Sequence, residues 1–133
     1  MIRAATISEQ RPGLRAHEES VALSFPEVAA RLREILGVRL VAYIGNVKSA
    51  RSVSDWTRGG HSPGEQDEDR LRQAFYAAGV LRERYSVETV QSWFKGMNPA
   101  LGDVAPARVL REGNPIEVGS DVIAAAKSFA YVG

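Results

Sequence analysis

Apolar residues recur at three- and four-residue intervals along most of the chain, and each stretch is soon closed by a capping residue, a glycine or a proline. Such a pattern admits only short helices packed on one another. Ser24-Phe25-Pro26-Glu27 reads as a helix start, with Ser24 able to cap the first amides and Glu27 able to reach back. Val28, Leu32, Ile35 and Leu36 follow on one stripe, and Gly37 stops it. Leu40, Val41 and Ile44 suggest a second helix ending at Gly45-Asn46. A third runs from near Ser49 to Arg58, with Val53 and Trp56 on its buried face and Gly59-Gly60 at its end. Ser62-Pro63-Gly64-Glu65 repeats the capping signal before the stripe Leu71, Ala74, Phe75, Ala78 and Leu81.

Ser86 can cap a helix bearing Val90, Trp93 and Phe94, and the turn-rich Gly96 to Gly102 follows. Pro106 to Arg111 makes a short helix stopped by Gly113-Asn114-Pro115. Val118, Val122, Ala126 and Phe129 mark a last amphipathic helix, with Val122, Ala126 and Phe129 facing inward. No segment alternates as a half-buried strand does. The expected fold is all-α, a cluster of about seven short helices. Residues 1–23 lack a periodic apolar face and contain the turn Arg11-Pro12-Gly13, so they are expected to form a flexible N-terminal arm.

Several chemistries are excluded. There is no GxxxxGK or GxGxxG phosphate loop. His17 and His61 are the only histidines and neither has a second ligand at helical spacing, so no metal site is expected. Nothing assembles a catalytic triad, and the acids between Glu65 and Asp69 suit a helix N-terminus without catalysis. No catalytic residue and no cofactor are nominated, and an enzyme is the weakest of the readings. The absence of cysteine, signal peptide and membrane-length apolar run fits the cytoplasm and no membrane partner.

The net charge of +1 conceals a local bias. From Arg39 to Arg58 stand Arg39, Lys48, Arg51 and Arg58 against the single acid Asp55. A DNA-reading helix-turn-helix needs two short packed helices whose second member shows polar groups to the major groove. Here Leu40, Ile44, Val53 and Trp56 can face the core, leaving Ser49, Arg51, Ser52, Asp55 and Arg58 outside. Lys48, Ser49, Arg51, Ser52 and Arg58 are the candidate DNA contacts, since Arg forks onto guanine or phosphate and Ser bonds to either. A helical hairpin with a solvated polar face satisfies the same pattern.

The segment from Ser49 to Gly59 resembles the second helix of Xre-type regulators, which often reads S-x-x-[ST]-V-x-x-W-x-x-G. Gly45 and Ser49 stand two residues further apart than is usual, giving a longer turn. Trp93, Asn98-Pro99-Ala100-Leu101-Gly102, Pro106, Leu110 and Gly113 resemble the toxin-binding domain of Xre/MbcA/ParS antitoxins. Val109-Leu110 stands where that family often has two leucines, and Asp103-Val104-Ala105 replaces a loop that often contains Gly or Arg. The residues also make sense alone: the residue before Pro99 avoids the α region, Gly102 permits positive φ, and Trp93 is suited to a core pillar whose N–H needs an acceptor.

The resemblance spans roughly residues 25–133. It implies a helix-turn-helix domain over 24–85 and a toxin-binding domain over 86–133. It further implies a partner RES-domain toxin that consumes NAD⁺, blocked sterically at its NAD⁺ site, and a homodimer forming a higher-order complex with the toxin that represses its own operator DNA. The toxin-contacting surface would lie on the last helix and tail, at Asp121, Lys127, Tyr131, Val132 and Gly133, with Tyr131 and Val132 at a free end able to enter a cleft. The same two residues could instead cap the core. The alternative function is a stand-alone dimeric helix-turn-helix transcriptional regulator whose C-terminal segment serves dimerisation.

Overall fold

The computed structural model describes residues 11–132. Eight α-helices succeed one another among them: α1 (Leu14–Ala22), α2 (Phe25–Leu36), α3 (Val38–Ile44), α4 (Ala50–Arg58), α5 (Glu65–Arg82), α6 (Val87–Lys95), α7 (Pro106–Glu112) and α8 (Pro115–Lys127). A 3₁₀ turn, Pro99–Leu101, lies between α6 and α7, and a π turn, Ser128–Val132, follows α8. The architecture is all-α. The only β pairing among the described residues is an isolated bridge between Asn98 and Val104.

The 18-residue α5 is the axis. It is buried along Leu71, Ala74, Phe75, Ala78 and Leu81, as the stripe required, and also at Ala77 and Val80. Burial on two sides lets α8 pack along one flank while α1 and α2 pack on others. Helices α3 and α4 close the N-terminal end over Trp56, which is 1% exposed and meets the Phe25 ring edge-on at 5.9 Å. Gly45, ending α3, sits against this indole: a Cβ there would lie 2.7 Å from the Trp56 ring. One hydrophobic core runs through all eight helices, including Val90, Phe94, Leu110 and Val122 from the C-terminal third.

Two of the expected caps form as read. Ser24 Oγ accepts from the Glu27 N–H at 3.4 Å and Ser86 Oγ from the Thr89 N–H at 3.3 Å. Others shift. The long helix begins at Glu65 with Gly64 as its N-cap, so Ser62 caps nothing. The last helix begins at Pro115, because Asn114 Oδ1 accepts from the N–H groups of Ile116 and Glu117 at 2.9 and 3.4 Å. The segment read as a stop does end α7, with Gly113 as its C-cap, and is at once the start of α8, where proline at N1 tolerates its missing N–H.

The expectation of a flexible arm over 1–23 needs correction. Residues 1–10 lie outside the described residues, but Leu14–Ala22 is a helix docked on α5. Its buried face is small, Ala16 and Ser20, which is why no apolar stripe advertised it. Gly79 of α5 lets it approach: a Cβ there would stand 2.8 Å from that of Ala16. Arg72 of α5 donates to the carbonyls of Ser20 and Leu23, both at 2.9 Å, satisfying the end of α1.

Candidate functional site

The first candidate surface is built by α3, the turn 45–49 and α4. Asn46 takes the left-handed region, φ 61°, which turns the chain between the helices. Ser49 is the N-cap of α4 and accepts from the Ser52 N–H at 3.3 Å, with the two hydroxyls 3.3 Å apart. Ser49 and Ser52 are therefore committed first to the helix start. Lys48 and Arg51 are exposed and, among the described residues, form no ion pair. Arg58 is exposed at the far end of α4 and paired with Asp55, one turn before it. The structure thus gathers Lys48, Ser49, Arg51 and Ser52 at one end of α4. Arg58 stands about two turns away on the same stripe as Arg51.

Two clefts flank this end. One, about 270 Å³, is lined by Arg39, Tyr43, Val47 and Lys48 and by Arg111 from α7. The other, about 540 Å³, shares Arg39 and Tyr43 and adds Lys95 of α6. Arg111 was not among the candidates, and no local signal marks it, because it lies far from α3 in sequence. Its guanidinium donates to the Tyr43 carbonyl at 2.6 Å and stands 4.6 Å over the Tyr43 ring.

The second candidate surface is built by the segment after α6. Asn98 Oδ1 accepts from the Ala100 N–H at 2.9 Å, and the Asn98 carbonyl accepts from the amides of Leu101 and Asp103, both at 2.9 Å. Gly102 and Asp103 both have positive φ, 67° and 63°. The Asn98-Pro99-Ala100-Leu101-Gly102 motif is therefore a self-bonded knot. Arg70 of α5, 5% exposed, reaches under α7, pairs with Asp67, and donates to the carbonyls of Leu110 and Gly113. Trp93 is a core pillar at 8% exposure, but its indole N–H meets no acceptor among the described residues.

Between the knot, α7 and α8 lies a groove of about 470 Å³, lined by Leu101, Val109, Asp121, Ala124 and Ser128 among others. Asp121 is exposed at this groove. Lys127 is not with it: half-buried on another flank of α8, its ammonium lies 5.4 Å over the Tyr76 ring.

Nor is the tail a free end. Tyr131 Oη donates to Glu83 Oε1 at 2.6 Å, and the Arg84 guanidinium lies 5.1 Å over the Tyr131 ring. The same Glu83 oxygen accepts from the Gly13 N–H at 3.1 Å, so one carboxylate holds both the tail and the entry to α1. Partial burial, with the Glu83 carboxylate facing it, pushes the Tyr131 hydroxyl from 10.0 up to about 12. Phe129, expected to face the core, is 42% exposed and lies 5.0 Å from the Tyr85 ring, because the π turn rotates Ala130 inward instead. The backbone of Val132 closes this turn, and Gly133 lies outside the described residues.

Among the described residues no group of His, Cys, Asp and Glu could hold a metal ion, and no helix is long and apolar enough to cross a membrane. No protein-family model and no curated protein sequence matches the chain. In three dimensions the chain is similar to a chain of the M. tuberculosis MbcT–MbcA toxin–antitoxin complex, with 28% sequence identity and a TM-score of 0.61 over 80% of this chain and 96% of that one. The likeness in structure and the resemblance of the Asn98 to Gly113 motif to MbcA-type antitoxins agree.

Proposed function

We propose that this protein is an antitoxin that binds a cognate RES-domain toxin, a consumer of NAD⁺, and blocks its NAD⁺ site sterically. The observation that carries the reading is the structural likeness to a toxin–antitoxin complex over nearly the whole of the neighbour's chain, joined to a built Asn98–Gly113 motif. The inhibitory surface is the end of the molecule formed by α8 and the π turn. Asp121 contributes there from its groove, Tyr131 to Gly133 from the tail, and Lys127 from the flank of α8 where its ammonium lies over the Tyr76 ring of α5. A stable protein complex buries about 800 Å² on each partner, so groove and tail would be engaged together. The antitoxin works in the cytoplasm as a homodimer, without a cofactor or catalysis of its own.

The reading requires a RES-type toxin gene, expected beside its own, and co-expression of the two tests it directly. The toxin alone should arrest growth and deplete NAD⁺; with the antitoxin, growth and NAD⁺ should recover and the two proteins should co-purify. Depletion of NAD⁺ in the presence of a co-purifying partner would refute steric blockade.

The unpaired cations around α3 and α4 favour a second activity, binding of operator DNA through a helix-turn-helix with Lys48, Ser49, Arg51, Ser52 and Arg58 at the contact. In the alternative reading this activity stands alone, in a dimeric regulator without a toxin. Normal growth of cells expressing the neighbouring gene alone would favour that alternative.

A further inference from the structure

We propose that the cleft bounded by Arg39, Lys48 and Arg111 seats a phosphate of the DNA backbone, which makes Arg111 of the C-terminal segment a DNA contact. The proposal rests on the DNA-binding reading above and extends it to residues outside the helix-turn-helix.

Three cations and no carboxylate line the cleft. Among the described residues none of the three is in an ion pair, whereas Arg15, Arg31, Arg58, Arg70, Arg72 and Arg108 all are. Like charges gathered on one concave surface repel, and the field they focus is relieved by an anion. Arg111 is already ordered for the task. Its bond to the Tyr43 carbonyl and its stacking on the Tyr43 ring fix the guanidinium, yet use one of its five N–H donors. A fixed fork suits a phosphate, since little further side-chain freedom is lost on binding. The basic surface also outruns a single anion. Lys95 extends it through the adjoining cleft, and Arg51 stands just beyond Ala50 at the free end of α4. A row of cations beside an exposed helix end matches the backbone of a duplex whose bases that helix reads, because phosphate contacts set register while base contacts specify.

The test uses the full-length protein and two fluorescent 30-base-pair duplexes, one from directly upstream of its gene and one of scrambled sequence. Affinity is measured against salt concentration for the wild type and for Arg39→Gln, Arg111→Gln and Arg15→Gln. Each of the first two should reduce the steepness of log K against log salt by about 0.9, equally on both duplexes, while Arg15→Gln leaves it unchanged. Thermal melts check that both variants stay folded; Arg39, exposed and without an ion pair among the described residues, is the substitution expected to leave the melt unchanged. An unaltered slope in folded Arg111→Gln overturns the proposal, even where Arg51→Ala still loses affinity and the helix-turn-helix reading survives. Failure of the wild type to bind either duplex overturns both. Displacement of the duplex by polyglutamate at equal charge concentration overturns DNA as the occupant.

Discussion

Replacing Tyr131 by Phe removes one hydroxyl and keeps the ring over which Arg84 lies. The lost bond, Tyr131 Oη to Glu83 Oε1 at 2.6 Å, has a charged acceptor, and such bonds contribute about 1.5–3 kcal/mol when shielded from water. The shift of the hydroxyl from 10.0 to about 12 corresponds to roughly 2.7 kcal/mol at face value. Tyr131 is 36% exposed, so solvent screening brings either figure down to about 1 kcal/mol. At pH 7 the variant should therefore melt about 3–5 °C below the wild type. A hydroxyl whose pKa is higher folded than unfolded stabilises the fold only while protonated. That contribution is whole below pH 10 and is lost as pH rises toward about 12. The gap between the two melting curves should accordingly close between pH 10 and 12. The functional consequence has the opposite sign. If the tail enters the toxin, it must first leave Glu83, and weakening that hold by about 1 kcal/mol should tighten toxin binding by about fivefold. Differential scanning fluorimetry across pH and titration calorimetry with the toxin read the two effects. Superimposable melting curves at pH 7 would refute the clamp; unchanged toxin affinity with a lowered melting point would refute release of the tail.

Removing residues 1–23 should lower the melting point by several degrees, because Arg72 loses the Ser20 and Leu23 carbonyls and Gly79 loses Ala16; an unchanged melt would mean that α1 contributes nothing. Trp56→Ala empties a site almost wholly shut off from solvent and bordered by Phe25 and Gly45, and should cost about 3–5 kcal/mol by denaturant titration, a large share of the stability of a domain this size. Arg51→Ala should weaken binding to the upstream duplex by about 1–3 kcal/mol and flatten sequence preference, while Lys48→Ala should weaken all duplexes alike. Deleting Tyr131 to Gly133 should leave the protein folded and abolish rescue of cells making the toxin; full rescue would move the inhibitory contact to the Asp121 groove.

The all-α class, the stripe of α5 and the burial of Val53, Trp56, Leu110 and Val122 could be read from the chain because large apolar side chains at helical spacing leave few arrangements. Helix α1 escaped the same reading because its buried face is Ala16 and Ser20, and small residues gain their contact from the partner's Gly79 rather than from their own bulk. Asn114-Pro115 was ambiguous by nature. The pair ends one helix and begins the next, and only the capping bonds to Ile116 and Glu117 decide which. Of the candidate contacts, those at the start of α4 lie together because sequence neighbours on one turn must. The C-terminal set divides, since Asp121 and Lys127 are six positions apart on a helix of 3.6 residues per turn. Arg111 and Glu83 could not be found in the sequence at all. Each acts across a distance in the chain that no local pattern spans.

Arg111, together with the buried Arg70, also explains how the molecule holds two surfaces in fixed relation. Helix α7 has seven residues, about 10 Å of helix, too short to keep its orientation alone. Its Val109 faces the groove with Asp121, and its Arg111 faces the cleft with Tyr43. Between them Leu110 is buried, and the buried Arg70 grips the carbonyls of Leu110 and Gly113 from beneath. An ion pair with one buried partner, such as Arg70–Asp67, gives little net stability over an apolar substitute, because the guanidinium is taken from water while Asp67 stays partly in it. What the guanidinium supplies is direction: several donors in one plane define where the end of α7 lies, which a greasy contact does not. The two surfaces therefore share one short helix, packed through Ala107 and Leu110 and held at its end by a single arginine of α5. Under the proposed functions, a toxin bearing on Val109 and a phosphate bearing on Arg111 act on the same element. Any free energy by which one displaces α7 is returned, equal in size, on the affinity for the other.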